Sequence, residues 1–122
     1  MKSIIAVGLG GGIGAIIRYL ISIIPYESKF PFHTFITNIL GAIVIGFVIG
    51  LIDGEVISLK HHALFWKTGF CGGLTTFSTF SFESLKLIEE EKVFLAIIYI
   101  SFSVIMCIFG VYLGRYISKL LI

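Results

Sequence analysis

The sequence predicts an all-α membrane protein with four transmembrane helices and a break in the third. Composition and charge placement carry the prediction. Of 122 residues, 57% are hydrophobic and 13% charged, against roughly 45–50% and 25% in soluble domains. The nine basic and seven acidic residues fall mostly in short clusters, and the apolar runs between them approach the roughly 20 residues that cross lipid.

Four such runs cover about residues 4–24, 33–52, 63–86 and 93–117, so the whole chain 1–122 reads as a single four-helix transmembrane domain. The connections "PYESKFPF", "DGEVISLKHH" and "IEEEK" are short, and no stretch suits a soluble domain. The opening "MKSII" could start a secretory signal, but the run is too long, contains Arg18 and lacks a small-residue cleavage site. It reads as a retained first helix. Cys71 and Cys107 lie inside runs with no second pair and no histidine at ligand spacing, which supports neither a disulfide framework nor a zinc site. His61 and His62, beside Lys60 and Trp66, suit a membrane edge.

Each run contains glycines four apart: Gly8 with Gly12, Gly10 with Gly14, Gly46 with Gly50, Gly69 with Gly73, and Gly110 with Gly114. That spacing lets helix backbones approach closely where lipid removes the hydrophobic drive for packing. The first run also matches the GxGxxA spacing of a dinucleotide fold at Gly10, Gly12 and Ala15. No βαβ context follows, so the cofactor reading fails.

Polar residues inside a bilayer must find a partner or line water. In the second run Thr34, Asn38 and Gly41 share a helix face, and in the fourth Tyr99 and Ser103 are four apart. Interhelical hydrogen bonding alone could account for any one of them. The third run differs in kind, because "GFCGGLTTFSTFS" (69–81) puts adjacent glycines and five hydroxyls at its centre. Gly72 and Gly73 weaken a helix, and "TTFST" supplies hydroxyls that compete for its backbone. A break there frees carbonyls on one side and amides on the other, an arrangement that commonly holds cations and faces anions.

Beyond the break, Phe77 and Phe80 share a face and are interleaved with Ser78, Thr79, Ser81 and Ser84. An aromatic pair at that spacing is ordinarily core. Ring edges are positive, however, and beside hydroxyl and amide donors they suit a small, hard, partly dehydrated anion. The only carboxylate within the runs is Glu83, whereas cation pores commonly carry rings of them. Arg18 sits in the first run, where a carboxylate such as Glu83, or water, could be its partner.

Orientation is weakly encoded. With both termini on one side, Lys2, Lys60, Lys67, Arg115 and Lys119 face Arg18, Lys29, Lys86 and Lys92, five against four. The positive-inside rule then leaves two readings open, a fixed orientation with a faint signal or insertion both ways. Two antiparallel copies would supply the inverted halves that one chain without an internal repeat lacks.

The motifs "GGxxGAxxRY" ending at Tyr19, "TNILG" (Thr37 to Gly41) and above all "GFCGGLTTFSTFS" together resemble the Fluc, or CrcB, family of fluoride channels over essentially the whole chain. The resemblance implies an antiparallel dual-topology homodimer in the cell inner or plasma membrane, multi-pass, that exports fluoride passively. It implies a pore lined by Asn38, Phe77, Phe80, Tyr99 and Ser103, with Thr34, Ser78 and Thr79 in or beside the path. It also implies a structural Na+ at the dimer centre, on backbone carbonyls at Gly72 and Thr75. The expected partners are fluoride, membrane lipid and a second copy, with no nucleic acid.

The alternative is a small dual-topology proton-coupled multidrug transporter, which needs a carboxylate in the first helix. The first run has none. No Ser, His and Asp constellation and no metal pair at usable depth point to an enzyme.

Overall fold

The computed structural model describes residues 1–57 and 60–122. In chain order the elements are α1 (Lys2–Ser22), α2 (Phe32–Asp53), α3 (Lys60–Ala63), a π-helical segment (Leu64–Cys71), α4 (Gly72–Leu74), α5 (Phe77–Glu89) and α6 (Val93–Leu121). Among the described residues there is no strand. Helices α1, α2 and α6 are each long and apolar enough to cross a membrane. The fourth crossing is made in pieces, α3 to α4 and then α5, with the bend at Thr75 and Thr76.

Span boundaries shift by a few residues from the sequence expectation, the third span running from Lys60 to Glu89. α1 ends at Ser22 rather than near residue 24, where the loop takes over through a bond from the Ile24 amide to the Ile21 carbonyl (3.2 Å). α6 continues past residue 117 to Leu121, since neither Pro nor Gly follows Gly114 and Lys119 lies favourably in its last turn. The π-helical segment has no counterpart in the sequence reading. Such widened turns shift register and often sit near functional sites.

Two glycine-lined crossings hold the bundle. A Cβ at Gly14 would strike the Phe70 carbonyl and lie 2.7 Å from the Leu74 amide, and one at Gly69 would lie 2.7 Å from the Val7 carbonyl. α1 therefore lies directly on the backbone of the π-helical segment and α4. On the opposite side Gly46 meets Val111, while a Cβ at Gly114 would fall 2.7 Å from the Phe47 amide, so α2 and α6 touch in the same way. Such approach replaces hydrophobic drive with van der Waals contact. Gly8 and Gly12 play no such part within the chain, because nothing lies within 4 Å of a Cβ at either.

The α5–α6 end is closed by a cluster of Phe80, Leu87, Ala96 and Tyr99. Phe30 from the α1–α2 loop seals it edge-on, with ring centroids 5.4 Å from Tyr99 and 5.2 Å from Phe35. At the other end Arg115 pairs with Asp53 at 2.6 Å, joining the ends of α2 and α6. Large apolar side chains such as Leu9, Ile16, Phe94, Ile105 and Ile108 remain exposed, as lipid contact requires and water would not favour.

Candidate functional site

α4 stops because side chains take the amides that would have continued it. Thr75 turns to extended geometry (ψ 158°) and Thr76 follows (φ −151°, ψ 112°). The Asn38 Oδ1 accepts the Thr76 amide at 2.8 Å, and its Nδ2 donates to the Thr76 carbonyl at 3.3 Å. The Thr76 hydroxyl accepts the Thr79 amide at 3.2 Å, which makes Thr76 the N-cap of α5. It also donates to the Thr79 hydroxyl at 3.0 Å and lies 3.3 Å from that of Ser78.

In an unbroken helix the carbonyl of residue i accepts the amide of i+4. The Thr76 amide would serve Gly72 and the Thr79 amide would serve Thr75, yet Asn38 and Thr76 hold them instead. The carbonyls of Gly72 and Thr75 thus lose their helical donors. Between them, the Gly73 carbonyl accepts the Arg18 Nε–H at 3.0 Å, and the Cys71 carbonyl accepts both the amide (3.0 Å) and the hydroxyl (2.8 Å) of Thr75. Gly41 leaves room for this turn, since a Cβ there would collide with the Thr75 methyl.

Beside the break runs an open groove of about 510 Å³, whose lining includes Asn38, Gly72, Thr75, Phe77, Phe80 and Ser103. Phe77 is 78% exposed and Phe80 only 9%. Their centroids are 5.6 Å apart with planes at 42°, and Phe80 leans on Tyr99 at 5.2 Å. The Ser103 hydroxyl is buried and has no hydrogen-bond partner, alone in this among the described side chains. Buried polar atoms ordinarily have partners, so this one is an exception within the groove wall.

Across Thr76 lies a second, more polar cavity of about 330 Å³, with Arg18, Thr34, Thr76, Thr79 and Glu83 in its wall. Glu83 organises it. One carboxylate oxygen accepts the Thr34 hydroxyl and the other the Tyr99 hydroxyl, both at 2.8 Å. Arg18 and Glu83 share this cavity but form no hydrogen bond or ion pair with each other; the Arg18 Nε–H goes to the Gly73 carbonyl and the Glu83 oxygens to the two hydroxyls.

The structure therefore separates the sequence-predicted site residues. Asn38, Phe77, Phe80 and Ser103 line the groove, Thr34 and Thr79 the polar cavity, and Gly72 and Thr75 the break. Tyr99 backs Phe80 and turns its hydroxyl to Glu83, while Ser78 stays exposed near the Thr76 hydroxyl. Sequence reasoning did not single out Thr76, although a Thr directly before "FST" fits an N-cap. The sequence offers Glu83 or water as the partner of Arg18, whereas the structure gives Arg18 the Gly73 carbonyl and Glu83 the hydroxyls of Thr34 and Tyr99, 16 to 55 positions away.

A family model described as CrcB-like protein, Camphor Resistance (CrcB), matches residues 5–115. The fluoride-specific ion channel FluC of Flavobacterium psychrophilum is 37% identical over 122 residues, covering 98% of each chain. That of Methanococcus aeolicus is 43% identical over 120 residues, covering 97% of this chain and 96% of its own. The counterpart from Methanococcus maripaludis is 46% identical over 116 residues and 94% of each chain. With matches running from the first span through the fourth, and so across the broken segment and its braces, this chain belongs to the CrcB family.

Proposed function

We propose that this chain is a fluoride-specific ion channel, a multi-pass protein of the cell membrane that lets fluoride leave the cytoplasm down its electrochemical gradient. It is not an enzyme. The structural observation that carries the reading is the buried, unpartnered Ser103 hydroxyl in the groove that Asn38, Phe77 and Phe80 also line. A hydroxyl donor and the positive edges of phenyl rings can stand in for the water that a small, hard anion gives up. Larger halides hold water less tightly but need a wider passage. With one charge worth roughly 2.3 kcal/mol per 100 mV, a negative-inside potential drives the anion outward without a coupled ion. The proton-coupled transporter reading fails for want of a carboxylate anywhere in α1.

In this reading two copies associate antiparallel. The nearly even charge count supports it. So does the exposure of Phe77 and Gly72 beside polar groups that lipid would leave unsatisfied. Na+ is assigned to the centre of that pair, on the Gly72 and Thr75 carbonyls. Hard oxygen donors suit such a cation, and both carbonyls have lost their helical amides to Asn38 and Thr76. The ion would neutralise their dipoles and fix the crossing of the two copies.

The test is growth. Cells lacking their own fluoride exporter should regain fluoride tolerance on expressing this chain, most clearly at acidic external pH, where fluoride enters as the neutral acid. Failure of a membrane-inserted chain to restore tolerance would contradict the proposal.

A further inference from the structure

A third cavity, about 320 Å³, lies apart from the break, where the first turns of α1 meet the start of the third span. Its wall has two chemistries. Lys2, His61 and His62 supply cationic and N–H donor groups, while Ile5, Ala6, Leu9 and Phe65 are apolar. No acidic residue lines it among the described residues, and the ion pairs Lys92–Glu90 and Arg115–Asp53 lie elsewhere in the chain and involve neither Lys2 nor the histidines.

The helix end adds to the polar side. α1 has no side-chain cap, and its first intrahelical bond runs from the Ile5 amide to the Met1 carbonyl (3.1 Å). The amides of Lys2, Ser3 and Ile4 are therefore left without helical acceptors, and a helix N-terminus so exposed favours phosphate. The Ser3 hydroxyl lies 3.4 Å from His61 Nδ1, tying that terminus to α3. Trp66, one turn beyond His62 and partly exposed, suits the headgroup level of a bilayer.

We propose that this cavity binds an anionic phospholipid. Its phosphate sits among Lys2, His61, His62 and the free α1 amides, and an acyl chain runs along Ile5, Leu9 and Phe65. Charge complementarity selects the headgroup, because a choline would place a second cation in an already basic site. The apolar wall selects a lipid over a soluble phosphate, which would leave that wall wet. The site is separate from the ion path, so lipid binding and fluoride passage can be read independently.

Native mass spectrometry on channel taken from vesicles of equal phosphatidylglycerol and phosphatidylcholine tests it. Wild type should retain phosphatidylglycerol roughly tenfold over phosphatidylcholine. The triple variant Lys2→Gln, His61→Gln, His62→Gln should lose that preference while conducting fluoride normally in phosphatidylcholine vesicles, and Lys2→Arg alone should keep it. Leu9→Trp, which fills the apolar side, should lower retention of the lipid with the basic residues intact. Equal retention of the two lipids by wild type would overturn the proposal. So would an undiminished preference in the triple variant, or displacement of the lipid by millimolar glycerophosphate.

Discussion

The Asn38 side chain satisfies both backbone groups of Thr76, accepting its amide at 2.8 Å and donating to its carbonyl at 3.3 Å. A residue on the second span thereby holds open the bend in the third. Asn38→Ala would leave a part-buried amide and carbonyl without their protein partner, each costing at most about 1–3 kcal/mol, the figure for fully buried groups. The expected result is a lower thermal midpoint in detergent and a fluoride flux reduced at least roughly tenfold. Asn38→Asp keeps the acceptor, loses the donor and adds a negative charge beside the groove, so flux should fall further than stability.

Arg18 reaches the same bend from the first span, through its Nε–H to the Gly73 carbonyl. Hydrogen bonds from charged groups contribute about 1.5–3 kcal/mol. Arg18→Gln should destabilise the protein within that range. Lysine does not rescue it, since a flexible point charge cannot reproduce a guanidinium N–H fixed in direction. Wild-type thermal stability in Arg18→Lys would show that the contact is dispensable.

The first span contains a built-in comparison. Gly14→Ala drives a methyl into the Phe70 carbonyl and the Leu74 amide, both backbone atoms that cannot step aside. Overpacking of this kind costs about 1–3 kcal/mol or more. Gly12→Ala meets nothing within 4 Å and should be neutral or gain about 0.5–1 kcal/mol in helix propensity. Thermal unfolding of the two variants side by side checks the difference.

Ser103→Ala distinguishes a ligand from a structural group. Its hydroxyl makes no protein hydrogen bond, so removing it should leave thermal stability within roughly 0.5 kcal/mol of wild type. Fluoride flux should nonetheless fall. A stability loss with unchanged flux would assign the hydroxyl to packing.

The spans and the bend were legible because apolar length and local glycine and hydroxyl chemistry decide them. Gly72, Gly73 and "TTFST" announced a weak helix. They did not say which partner would stabilise the weak point, since Asn38 and Arg18 stand 38 and 55 positions from theirs. Glycine spacing likewise marked close packing without assigning it. Gly10 and Gly14 bury against the third span, whereas Gly8 and Gly12, on another face of the same helix, meet open space. The stripe of Thr34, Asn38 and Gly41 divided into three tasks, a donor to Glu83, a brace for Thr76 and space for Thr75. Glu83 gained its place only once the fold brought α2 and α6 to either side of it.

Anion efflux from vesicles carrying the purified protein, loaded with fluoride or with chloride in the same sodium buffer, tests the central claim most directly. The account predicts rapid fluoride release, recorded with a fluoride electrode, and chloride release no faster than from protein-free vesicles. Equal release of both halides, or of neither, would contradict it.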